Sequence, residues 1–334
     1  MVVLLVVLAV GALLGATLLG SWFGGGADYP GPGEGEVVVE VLPGDSARAI
    51  GATLAGADVV ASAEAFVDAA AADERSLGIQ PGSYAMARLM SAQGALDRLL
   101  DPAARVQTEV TLPEGLRVSQ TVDRLVEASG LPRADFEQAL SNPRSLGLPP
   151  YAAGEAEGFL FPATYAFDPG VPAEEMLRTM VQRFDQAAAE LDLVASSRAV
   201  GLTPRQAVIV ASLVQAEVAE RDFGKAARVV YNRLNTGMAL QLDSTVNYAL
   251  GTNDLTLDNE QLGVDSPYNT YANDGLPPGP VNSPGEAALD AALHPPDGDW
   301  IYFVALAPGS DATRFTADYD QFLAWKDEFY AAVP

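Results

Sequence analysis

Two stretches of this chain repeat one order of elements, and that echo constrains the fold more than any single residue does. Val37 to Leu42 is a β-branched run closed by Pro43-Gly44, the pattern of a strand running into a turn. Asp45 or Ser46 then caps a helix carrying Ala49, Ile50 and Leu54. Val106 to Leu112 is again a strand, stopped by Pro113-Glu114-Gly115, with a helix through Val118, Val122 and Leu125. Leu42 with Leu112, Pro43 with Pro113 and Phe66 with Phe136 all keep the same offset. Two such units predict similar small α+β modules. A proline and glycine before a helix is also common punctuation, so the echo speaks to architecture and not to binding.

Further along, helical segments are expected over Arg88 to Leu100 and Ala173 to Leu193. Thr203-Pro204-Arg205-Gln206 opens a third with threonine at the N-cap, proline at the first position and glutamine two places later, a capping box. Ala207, Val210, Ala211 and Val214 then recur at helical spacing. Glu217 continues that stripe, three residues after Val214 and seven after Val210. Another helix runs from Phe223 through Leu234. Asp265 to Pro284 reads as a long loop dense in Pro, Gly, Asn and Tyr. Loops of that length are functional or disordered, and these tyrosines and asparagines argue against disorder. A strand over Trp300 to Leu306 and a helix over Tyr319 to Ala332 close the chain.

The N-terminus is apolar from Val2 to Leu19 and on through Trp22 and Phe23, which matches the thickness of a bilayer. A secretory signal has a shorter apolar core, a basic start and a small-residue cleavage site. A single-span anchor over 1–23 is therefore expected. No Lys or Arg precedes Arg48, so charge does not set its orientation. Residues 24–35, rich in glycine and proline, read as a flexible linker.

Composition removes much chemistry. A formal net charge of -25, from 44 acidic and 19 basic residues, repels phosphate backbones, so no nucleic acid is expected as a partner. With no cysteine and one histidine, His294, disulfides, thiolate nucleophiles and Cys/His metal sites drop out. No metal and no cofactor are expected. No GxxxxGK(S/T) or GxGxxG follows a strand, so phosphate-cradling loops are not expected. Carboxylates remain. A carboxylate held on an apolar helix face is hard to ionise, which keeps a general acid protonated near neutral pH. Glu217 fits that description. It also precedes Arg221 by four residues, the spacing of an ordinary exposed ion pair. Glycosidic cleavage is the natural outlet for such an acid, because the leaving oxygen must be protonated. Tyr268, Asn269, Tyr271 and Asn273 offer the apolar faces and amides that suit sugars.

Five motifs now stand in order. They are Glu157-Gly158-Phe159-Leu160-Phe161-Pro162-Ala163-Thr164-Tyr165, Ala211-Ser212-Leu213-Val214-Gln215-Ala216-Glu217, Tyr231-Asn232-Arg233-Leu234, Leu240-Gln241-Leu242-Asp243-Ser244-Thr245, and Ser266 to Tyr271 continuing to Gly275-Leu276-Pro277-Pro278-Gly279-Pro280. With them the chain resembles the YceG-like endolytic murein transglycosylase family over nearly its whole length. The resemblance implies an α+β protein built from an N-terminal transmembrane helix (1–23), a linker (24–35), a LysM-like α+β subdomain (36–105) and a mixed α/β YceG-like catalytic domain (106–334). It implies a single-pass protein of the cell (inner) membrane with its catalytic domain outside the cytoplasm. Its partners would be peptidoglycan glycan strands and cell-wall synthases.

The activity implied is non-hydrolytic cleavage between N-acetylmuramic acid and N-acetylglucosamine, leaving 1,6-anhydromuramyl ends. The family's essential glutamate corresponds to Glu217. Glu157, Gln215, Gln241, Asp243, Thr245, Tyr268, Asn269, Thr270 and Tyr271 are the candidate substrate contacts. Three positions depart from the family's pattern: Gln215 and Ala163, where an acid is usual, and Ser244, where proline is common. Two other functions compete. One is a non-catalytic peptidoglycan-binding scaffold, favoured if Glu217 is exposed and paired with Arg221. The other is a hydrolytic muramidase, which needs a second carboxylate from Glu220 or Asp243 to activate water.

Overall fold

The computed structural model describes residues 26–307 and 309–332, in two compact units. The apolar run 1–23 lies outside the described residues, and among those described no helix is long and apolar enough to cross a membrane. The first unit takes in the chain to Thr108 with Phe167–Gly170; the second takes in Glu109–Ala166 and everything from Val171.

In the first unit β1 (Pro32–Val41) leads to α1 (Ala47–Gly56), α2 (Ala63–Ala72), β2 (Gly82–Met90) and α3 (Ala92–Leu99). β1 and β2 pair antiparallel, with Val39 opposite Tyr84 and Val41 opposite Gly82. Each helix starts on a serine whose hydroxyl accepts an amide of the first turn: Ser46 from Ala49, Ser62 from Ala65, Ser91 from Gly94. Such caps each stabilise a helix by about 1 kcal/mol. Leu54, Phe66, Tyr84 and Leu96 fill the core between the hairpin and the helices.

Two expectations are corrected in this unit. The linker does not reach residue 35, because Pro32 and Glu34 already pair with Met90 and Arg88. Gly33 and Gly35 hold positive φ beside an irregularity in the ladder between Glu34 and Val37, so these glycines serve a bulge and not a flexible tether. The helix expected from Arg88 is split as well. Arg88 to Met90 ends β2, and Ser91 separates it from α3. The apolar spacing had run across a strand end and a cap.

The second unit opens by repeating the scheme. β3 (Thr108–Thr111), α4 (Val118–Ser129), α5 (Arg133–Leu140) and β4 (Thr164–Phe167) follow in order, and β3 pairs with β4. Phe66 on α2 and Phe136 on α5 are both fully buried. The rest is largely helical. It comprises α6 (Ala173–Glu190), α7 (Leu193–Ala199), α8 (Pro204–Glu217), α9 (Phe223–Thr236), α10 (Asp243–Leu250), α11 (Asn259–Leu262) and α12 (Glu286–Leu293). An antiparallel pair, β5 (Tyr302–Ala305) and β6 (Thr313–Thr316), and α13 (Tyr319–Ala331) complete it. The whole is a mixed α/β fold.

α8 is the centre of this unit. Its capping box is formed in both directions between Thr203 and Gln206. Every residue from Ala207 to Val214 is buried, so the expected one-sided stripe is in fact a helix enclosed on all sides. α9 and α12 pack against it, with Phe159, Phe184, Val230 and Leu289 in the surrounding core. The helix leaves the core only in its last turn, and its last residue is Glu217.

Candidate functional site

Glu217 therefore sits where a buried helix opens onto a cavity of about 980 Å³. Gln215, Gln241, Asp243, Ser244, Tyr271 and Arg233 share that cavity with it. The Glu217 side chain is partly buried. Burial pushes its carboxyl up to about 7, and the neighbouring charge of Asp243 adds to the rise, while Ser244 and Arg233 pull the other way. The Ser244 amide, in the first turn of α10, donates to Glu217 Oε1 at 3.2 Å. The carboxyl thus has one fixed oxygen. The ion pair with Arg221 of the competing reading is not formed, because α8 ends at Glu217. Arg221 lies in a separate turn and pairs with Asp311 at 3.1 Å.

Asp243 opens α10, and the Tyr271 hydroxyl donates to its Oδ1 at 2.6 Å. Gln241 has a positive φ, unusual for a residue with a side chain, and its amide is held by Thr270 O at 3.1 Å. Arg233 is buried. Its guanidinium donates to Ile301 O at 2.8 Å and to Leu240 O, so it keeps a positive charge near Glu217 that no carboxylate neutralises by direct bonding.

Gln215 lines the cavity but its side chain is engaged. Its Oε1 accepts the Gly285 amide, at the N-cap of α12, at 3.0 Å. Three residues earlier in the motif, Ser212 accepts Val281 N at 3.1 Å and its carbonyl accepts Asn282 Nδ2 at 2.9 Å. α8 thereby fixes the loop that walls the cavity. An amide oxygen is sufficient for the Gly285 bond, which accounts physically for a glutamine at this position.

Five of the candidate contacts do not line the cavity. Thr245 and Thr270 are buried, their hydroxyls bonded to each other at 2.9 Å, with Thr270 accepting Leu242 N at 3.0 Å. Asn269 is fully buried and donates to Leu262 O and Val264 O, both at 2.9 Å. Tyr268 packs on Tyr248, ring centroids 4.7 Å apart. Glu157 accepts Val118 N, at the start of α4, at 3.1 Å and the Tyr248 hydroxyl at 3.3 Å. Burial raises its carboxyl to about 7 against those bonds and the Arg117 charge. These residues brace the walls from behind. A polar residue in a motif satisfies a loop backbone as readily as a ligand, and spacing alone does not say which.

Sequence reasoning also passed over parts of the wall. Arg233 is the one cationic member of Tyr231-Asn232-Arg233-Leu234, and that charge is the signal for it in the sequence. Arg117 lines the cavity and donates to Thr252 O at 2.6 Å. Tyr302 and the α13 residues Tyr319, Phe322 and Tyr330 line the far side. The spacing of the α13 residues, three and then eight apart, puts them on one helical face and was visible in the sequence.

Among the described residues no cluster of His, Cys, Asp and Glu is arranged to hold a metal. His294 is exposed at the end of α12 and bonds Asp290 at 2.9 Å.

A helix-centred mixed α/β fold with a partly buried glutamate at a cleft is thus the class. Residues 39–328 match the YceG-like family, and the chain belongs to it. It is 30% identical over 289 residues to a Bacillus subtilis (strain 168) protein named endolytic murein transglycosylase, covering 82% of this chain and 79% of that one. A Streptococcus pneumoniae (strain R6) protein of the same name is 30% identical over 308 residues, 80% of this chain but 54% of its own length. A crystal structure of a YceG-like protein from Listeria monocytogenes superposes with a TM-score of 0.60 at 27% identity, covering 86% of this chain and 98% of that one.

Proposed function

We infer that this protein is an endolytic murein transglycosylase, cleaving peptidoglycan glycan strands between N-acetylmuramic acid and N-acetylglucosamine. The observation that carries the chemistry is Glu217, a carboxyl raised to about 7 at the mouth of a buried helix and open to a large cavity. Protonated, it gives its proton to the glycosidic oxygen as the bond to C1 breaks. The muramyl C6 hydroxyl then closes on C1, and the Glu217 carboxylate takes the hydroxyl proton. The acid is regenerated, no water is consumed, and the product ends in a 1,6-anhydro ring. Asp243, oriented by Tyr271, supplies negative charge where the oxocarbenium-like transition state is positive. Gln241 extends into the same cavity as a hydrogen-bonding contact for the sugar.

A hydrolytic route needs a carboxylate free to activate water. Of the two candidates for that role, Asp243 has one oxygen bonded to Tyr271 and Glu220 is exposed and outside the cavity wall; Glu114 and Asp254 are the other carboxylates that line the cavity. The scaffold reading is disfavoured because Glu217 is not exposed in a pair with Arg221.

The apolar run 1–23 supports a single-pass anchor, with the catalytic unit on the peptidoglycan side of the cell membrane and cell-wall synthases as neighbours. The strand–helix–helix–strand order of β1 to β2 supports a LysM-like glycan-binding role for the first unit.

Glu217→Gln tests the assignment of the acid. It keeps the shape and removes the proton donor, so cleavage of purified peptidoglycan should fall by about 10²–10⁴-fold while glycan binding persists. An unchanged rate sinks the assignment.

A further inference from the structure

α13 is unlike the other long helices of its unit, because none of its residues is buried. Yet it carries Tyr319, Phe322, Leu323, Phe329 and Tyr330. Phe322 and Leu323 follow Tyr319 by three and four residues, and Phe329 and Tyr330 follow those two by seven, so all five share one helical face. That face does not enter the core. It lines the cavity that holds Glu217. Tyr319 and Tyr330 remain 54% and 51% exposed. The base of the face is ordered: Phe322 stacks on Tyr302 of β5 with centroids 5.0 Å apart and 20° between planes, and Tyr302 meets Tyr319 at 5.4 Å. Lys326 sits on the same face, 5.8 Å from the Tyr330 ring centroid.

We propose that the aromatic face of α13, with Tyr302, is a saccharide-stacking subsite that holds sugar rings of the strand beyond the bond presented to Glu217. The proposal rests on the glycan-cleaving function inferred above. Three features select this occupant. The face is built from aromatic rings, and the C–H bonds on one side of a pyranose present a positive edge to the negative face of such rings. Tyrosine hydroxyls and Lys326 offer hydrogen bonds at the ring edges, as sugars require and an aliphatic partner does not. The face is continuous with the acid's cavity, whose volume of about 980 Å³ lies at the top of the range for small-ligand sites and exceeds what one scissile bond needs. An enzyme that cuts within strands must grip sugars on both sides of the bond, and this wall supplies such a grip.

The test measures binding of peptide-free glycan strands of defined length by the full chain carrying Glu217→Gln, which holds substrate without turning it over. Adding Tyr319→Leu or Phe322→Leu should weaken binding about 5-fold each, and Tyr319→Phe should restore it, since the phenyl ring stacks where the leucine does not. Gln321→Ala, on the other side of α13, is the control and should bind normally. With Glu217 intact, the leucine variants should raise KM more than they lower kcat. Unchanged binding in the leucine variants overturns the subsite. So does equal weakening by Gln321→Ala, or a concentration-dependent mass that is lost in Tyr319→Leu, which would mark the face as a contact between copies of the chain. If no form binds glycan, the functional reading itself fails, and that result is distinct from binding that ignores α13.

Discussion

Glu217 carries opposite consequences for activity and for stability. Its carboxyl ionises near 4.5 when unfolded and at about 7 in the folded chain. Between those values the folded state binds more protons than the unfolded one, so stability falls as pH rises from about 4.5 to 7, and the penalty is complete above that. Glu217→Gln removes the penalty. The variant should therefore melt higher than the parent at pH 8, and the gap should close at pH 4.5; thermal melts at both values check this. The rate obeys the same titration. A proton donor is lost as pH rises through about 7, so kcat/KM of the parent should decline on the alkaline side of neutrality. A rate that climbs steadily to pH 9 would exclude Glu217 as the acid. Much of this residue's role was legible in the sequence, because an ionisable group in phase with an apolar helix is conspicuous. Its release from the core at the final turn was not, since helix ends depend on packing as much as on caps.

At the scale of elements, the site is held by hydrogen bonds made behind it. The hydroxyls of Thr245 and Thr270 and the Leu242 amide form a closed set joining α10 to the 265–284 loop. Thr270→Val keeps the shape but strands a buried amide, so it should destabilise the fold by about 1–3 kcal/mol and lower cleavage through loss of alignment of Gln241 and Asp243. Denaturant unfolding and a turnover assay measure the two effects, and a variant as stable as the parent would refute this bracing role. By sequence these threonines, with Asn269, are candidate substrate contacts, because the sequence shows polarity but not direction. Helices with caps were legible: the Thr203–Gln206 box and the α1 start at Ser46 lie where their residues indicate. β2, β4 and β6 were not, since each is short or interrupts a helical-looking apolar spacing that only pairing with another strand resolves.

For the whole molecule, the strand–helix–helix–strand order recurs in both units, and its echo was readable because the turn prolines Pro43 and Pro113 and the buried phenylalanines Phe66 and Phe136 keep one offset. What could not be read was the wall built by α13, whose aromatic side chains would by composition belong in a core. In the first unit Ala27 O accepts the Ser62 hydroxyl and Asp28 Oδ1 accepts the Ala92 amide. A chain starting at Gly24 should consequently stay folded, with an unchanged melting temperature, and become soluble without detergent. A large loss of melting temperature would mean that 1–23 supports the fold.

The central claim is that one carboxylate and the substrate's own hydroxyl suffice for cleavage. Digestion of purified peptidoglycan followed by mass measurement of the earliest products tests it most directly. Products lacking one water relative to hydrolytic fragments, and resistant to borohydride reduction at the muramyl end, are the predicted result. Hydrated, reducible muramyl ends as the main early product would contradict the account and require a water-activating carboxylate in the cavity.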